Sequence, residues 1–109
     1  MTEILEKIKA CFKKEQAFFS IHARKEMKAE EFGRIFEYEI MEMVENGEMI
    51  ESYPTDYPHP SILIYGITVT KRPLHIVAAY DEGSDQVIVI TAYHPHPDKW
   101  FDNRKRKPK

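Results

Sequence analysis

The sequence predicts an α+β fold, N-terminal helices followed by a four-stranded antiparallel β-meander. Three observations lead there. Apolar residues recur at helical spacing through the first half of the chain. In the second half, "SILIYGITV", "PLHIVAAY" and "QVIVITAY" are rich in β-branched and aromatic residues. The pieces between these runs, "TKRP" and "DEGSD", are short enough for hairpins.

Each element has its own signal. In "TEILEKIKACFKKE", Ile4, Leu5, Ile8, Cys11 and Phe12 form one helical stripe. "AFF" interrupts it as a short extended link. Ser20 then caps a second helix running to about Glu31, and Gly33 breaks it. "IFEYEIMEMVEN" predicts a third helix that buries Phe36, Ile40, Met43 and Val44, with Gly47 closing it as a left-handed cap. "EMIESY" is the first strand, and the three prolines of "PTDYPHP" make a loop. Period-two geometry puts Leu74, Ile76, Ala78 and Tyr80 on one face of the "PLHIVAAY" strand, and His75, Val77 and Ala79 on the other. In the last strand it groups Val87, Val89, Thr91 and Tyr93 against Ile88, Ile90, Ala92 and His94. His75 and Tyr93 share a face only in one hairpin register, and a slip of one residue separates them.

With 109 residues, the expectation is one domain over residues 1–100 and a basic, flexible tail over 101–109. No run approaches the roughly 18–20 apolar residues of a membrane span. The charged, periodic start "MTEILEKIKACF" does not read as a signal peptide, and Cys11, the lone cysteine, reads as a core residue; a cytoplasmic protein is expected. Charge is uneven. Residues 99–109 hold six basic residues and one acidic, net +5; residues 1–98 hold ten basic and seventeen acidic, net −7. The basic end suits either an arm for nucleic acid or a solubilising terminus, while the acidic body argues against a surface that attracts RNA everywhere.

Four pieces, "SIHARKEM", "ENGEMIESYP", "RPLHIVAAY" and "ITAYHPHPDKW", stand in an order and at spacings similar to the domain-of-unknown-function family 4258. The likeness runs from about Ser20 to Trp100. It implies a RelE-like toxin fold. It also implies a metal-independent ribonuclease toxin of a toxin–antitoxin pair, or a relative of one, with RNA and a small zinc-finger antitoxin as partners and no cofactor. The chain departs from the pattern at three places. Glu26 stands where a second basic residue is common, no Ser or Thr opens the helix in "GRIFEYE", and His94 replaces a frequent acidic residue.

Cleavage of RNA by its own 2′-hydroxyl needs a base, an acid and positive charge on the phosphorane. Histidine suits the first two, with an ordinary pKa of about 6.5, and arginine the third through paired phosphate contacts. The candidates are His22 and His75 for acid–base work, Tyr93 for positioning or proton donation, and Arg24 and Arg72 for phosphate. Each has a plainer reading: His22 as helix-edge surface, Arg24 as partner of the acidic third helix, His75 as hydrogen-bonded core, Arg72 as an exposed turn residue and Tyr93 as an aromatic cover. His94, His96 and Asp98 match no standard zinc spacing, so no metal is expected. If the chain is an enzyme, it is an endoribonuclease. The competing reading is a non-catalytic binding module on the same fold, which Glu26 and the acidic body favour.

Overall fold

The structure is a computed structural model describing residues 2–108. Helix α1 (Thr2–Lys13) is followed by strand β1 (Ala17–Phe19), helices α2 (Ile21–Lys28) and α3 (Glu37–Glu45), and strands β2 (Glu48–Tyr53), β3 (Ser61–Ile67), β4 (Pro73–Asp81) and β5 (Gln86–Tyr93). Two short strands, β6 (Trp100–Phe101) and β7 (Lys105–Arg106), pair as a separate hairpin.

The predicted antiparallel meander is present as β2 to β5, each strand pairing with the next. The sheet has five strands, however, in the order β1-β5-β4-β3-β2, and it is mixed. "AFF" is not a link: it runs parallel to β5, with Ala17, Phe18 and Phe19 opposite Val87, Ile88 and Val89. Three residues are too few to show a strand period, so the sequence pattern could not reveal this edge.

The core lies between one sheet face and the helices. Ile8, Cys11 and Phe12 of α1, Ala23 and Met27 of α2, and Ile40, Met43 and Val44 of α3 pack on Ile62, Ile64, Leu74, Ile76, Val87 and Val89. Each large aliphatic side chain removed from water contributes about 1.5–3 kcal/mol. Phe36 does not join them. It is the N-cap of α3, with extended backbone, and its ring is half-exposed. Helix α2 also stops earlier than expected, at Lys28 with Ala29 as its cap.

Gly47 differs from its predicted role, since the only glycine with positive φ among the described residues is Gly33 (φ 109°). A Cβ on Gly47 would lie 2.6 Å from Ile64 Cγ2, and one on Gly66 would lie 1.9 Å from the Met43 carbonyl oxygen. Both glycines are there because α3 crosses the sheet at close range. Asn46 joins the same elements: its side chain donates to the Ile67 carbonyl at 2.7 Å and accepts from the Ile67 N–H at 2.8 Å.

A bulge revises the predicted faces of β5. Val77 pairs with Thr91 but Ala78 pairs with Val89, which leaves Ile90 as an extra residue. Val87, Val89 and Ala92 therefore face the core. Beyond the bulge, Thr91 and Tyr93 turn to the opposite face, and Tyr93 sits directly across from His75. Ser20 anchors this irregularity. Its hydroxyl donates to the Ile90 carbonyl at 3.1 Å and accepts from the Ala23 N–H at 3.0 Å, capping α2.

The basic end folds back over the second sheet face. Trp100 packs edge-on to His75 with ring centroids 4.5 Å apart, and the Arg104 guanidinium lies 4.8 Å from the Tyr65 ring centre. Arg106 donates to Glu51 at 2.8 Å and Arg104 pairs with Glu48, so two of the tail's cations neutralise carboxylates of β2. The physical reason is that β2 to β5 leave an aromatic face, Tyr65, His75 and Tyr93, that needs a cover.

Candidate functional site

The fold brings His75 and Tyr93 into direct contact. The Tyr93 hydroxyl lies 3.1 Å from His75 Nδ1, and the Asn103 carbonyl oxygen lies 2.6 Å from Nε2. A carbonyl only accepts, so Nε2 carries the ring proton and Nδ1 accepts from the tyrosine. Tyr65, Tyr93 and Trp100 surround the ring edge-on, and the residue is fully buried. Burial pushes its pKa down to about 4, against the opposing pull of the Asn103 carbonyl. Burial also pushes the Tyr93 hydroxyl far up, so it stays protonated. Both ring nitrogens are engaged and no face is open to a substrate.

His22 lies elsewhere. Its side chain is 70% exposed, with Nε2 3.8 Å from Glu26 one turn along α2. Glu26 faces β5, where its carboxylate accepts from the Thr91 hydroxyl and, at 2.8 Å, from the Ala92 N–H. Glu30 accepts from the His94 N–H at 2.9 Å. Strand β1 pairs with β5 only as far as Val89. The next edge donors are therefore met by two carboxylates, Glu26 on α2 and Glu30 just beyond its C-terminal end. Glu26 closes the sheet edge.

The two arginines occupy a third region. Arg72 is largely buried and pairs with Glu39 at 3.2 Å. It also donates to the Arg34 carbonyl at 3.0 Å and to the Gly33 carbonyl. Its fork is filled by protein groups, leaving little for a phosphate. Glu39 in turn accepts from the Phe36 N–H at 3.0 Å, replacing the absent Ser or Thr cap of α3. Arg24 is half-exposed, pairs with Glu37 and lies 5.4 Å over the Phe19 ring.

Two grooves adjoin these residues. One, of about 470 Å³, runs between α2, β5 and the hairpin, and includes Tyr93, Lys99 and Arg106 but also Glu26, Glu30 and Glu31. The carboxylates make it a poor phosphate site. The other, of about 300 Å³, lies between α2 and the start of α3 and holds Arg24, Lys28 and Arg34 against Glu37. The sequence reading missed Arg34, Phe36 and Tyr38 here, because Phe36 fell on an apparent core stripe. The available signal was Glu39, whose place three residues after Phe36 marks a cap rather than a buried turn. Among the described residues, no three His, Cys, Asp or Glu side chains gather to hold a metal ion. Nor, among them, is any helix long and apolar enough to cross a membrane.

The fold and these contacts define a small α+β protein whose aromatic sheet face is sealed by its own C-terminal hairpin. The chain belongs to the family described as Domain of unknown function (DUF4258), whose model matches residues 19–94. No curated protein and no solved structure matches it.

Proposed function

We propose that this DUF4258 protein is a non-catalytic binding module whose ligand is RNA. The observation that carries the first half is the closed state of His75. A general base must reach the proton it takes, and His75 meets only Tyr93 and Asn103. Its expected partner His22 stands apart in solvent beside Glu26. RNA as the ligand is supported by the RelE-type resemblance and by the cationic groove around Arg24, Lys28 and Arg34. The resemblance also offers an RNA-cleaving toxin acting through His22, His75, Tyr93, Arg24 and Arg72, with a zinc-finger antitoxin as its partner. That reading needs the hairpin to leave the sheet.

Expression in a bacterial host separates the two. The binding reading expects labelled RNA to stay intact with the purified protein, and any growth effect to survive His22→Ala, an exposed substitution that leaves the fold alone. Cleavage or growth arrest lost in His22→Ala would overturn it.

A further inference from the structure

The inference here rests on the binding reading and names its surface. We infer that the α2–α3 loop and the first turn of α3 form a single-stranded RNA site. Unpaired bases stack on a column of Arg34, Phe36 and Tyr38, and Arg24 and Lys28 meet the phosphates.

The column is built from three flat groups. The Arg34 guanidinium lies 4.9 Å from the Phe36 ring centre. The Phe36 and Tyr38 rings are stacked, with centroids 5.7 Å apart and planes 20° from parallel. Phe36 is 43% exposed and Tyr38 60% exposed, so the column opens to solvent. Aromatic faces and guanidinium planes are what unpaired bases stack on, and the same surface offers nothing to a base held inside a duplex. The adjoining groove has three cations and one carboxylate in a body whose residues 1–98 carry net −7. Of the three cations, only Arg24 has a carboxylate partner among the described residues. That local excess of positive charge, beside parallel rings, favours RNA over an apolar protein partner.

The loop is held in place. Ile35 is buried, and its N–H donates to the Met27 carbonyl at 2.9 Å. Arg72 grips the Gly33 and Arg34 carbonyls from beneath, and Glu39 fixes the Phe36 N–H. Arg72 thus acts as a positioning residue for the column, which a ligand finds already ordered.

The test is fluorescence anisotropy with a labelled single-stranded oligoribonucleotide of about 12 nucleotides, a length within the usual site range. Wild type is compared with Tyr38→Ala, Tyr38→Phe, Arg34→Ala and, on the hairpin, Lys105→Ala. Tyr38→Ala and Arg34→Ala are each expected to weaken binding roughly tenfold, as losing one stacked base does. Tyr38→Phe and Lys105→Ala are expected to bind as wild type, and duplex RNA to compete poorly. Circular dichroism melts confirm that the variants fold. If wild type binds but both alanine variants bind equally well, or duplex competes as well as single strand, this site is wrong while the binding reading stands. If wild type binds no RNA, both fall, and the surface is left to a protein partner.

Discussion

At the residue scale, Arg72 and His75 both make contacts that tie separate parts of the fold together. Arg72 and Glu39 are a largely buried pair, so Arg72→Ala leaves a carboxylate without its partner. The expected cost is roughly 3 kcal/mol, read as a shift in the urea midpoint, and under the proposed RNA-binding reading affinity falls with it because the Arg34 loop loosens. Arg72→Lys recovers only part of either, since an ammonium cannot span Glu39 and two carbonyls together. A midpoint unchanged in Arg72→Ala would show the pair to be idle. His75 makes stability depend on pH. Its folded pKa, about 4, lies below the ordinary 6.5. Unfolding therefore takes up a proton below pH 6.5, and the stability His75 contributes, full above 6.5, is lost as pH falls toward 4. The expected loss across that window is about 3 kcal/mol, seen as a falling Tm that flattens in His75→Gln. An equally steep fall in the variant would assign the effect to other groups.

At the element scale, close crossings and edge covers decide which substitutions matter. Gly66→Ala drives a Cβ into the Met43 backbone carbonyl at 1.9 Å, whereas Gly47→Ala meets a side-chain methyl, Ile64 Cγ2, at 2.6 Å first. Gly66→Ala is expected to be the more destabilising, ranked by thermal melts of the two variants. The reverse order would mean that α3 shifts freely on the sheet. Much of this architecture was legible in the sequence. The stripe of α1, the Ser20 cap and the alternation of "PLHIVAAY" all appear where the pattern puts them. What escaped has physical reasons. β1 is three residues long and has no period. The bulge at Ile90 breaks a regular alternation with no glycine to announce it. Phe36 looks like core because its spacing to Ile40 is helical, yet a cap position turns it outward.

At the scale of the whole molecule, the C-terminal hairpin decides what the sheet can do. "KWFDNRKRKPK" reads as a charge run, and its sequence carries no hint that Asn103 offers a carbonyl to His75. That contact depends on the chain reversing at Asp102 and Asn103, both at positive φ, and on β2 supplying Glu48 and Glu51 to Arg104 and Arg106. The candidate site was therefore only partly legible. His75 and Tyr93 were named and do meet, but their cover and their separation from His22 are long-range facts. Since the hairpin holds partly through ion pairs at the surface, raising salt is expected to loosen it. Hydrogen exchange at the Trp100–Arg106 hairpin is expected to quicken in high salt while the β3–β4 ladder stays protected. Uniform protection of both would contradict a strap held by charge.

In the folded chain His75 is sealed and neutral. The most direct test is the nitrogen NMR spectrum of the histidine rings followed through a pH titration. His75 is expected to keep its proton on Nε2 and not to titrate until about pH 4. A His75 ring that titrates near 6.5, or exchanges between tautomers at neutral pH, would mean that the hairpin opens and that catalysis at this face is back in play.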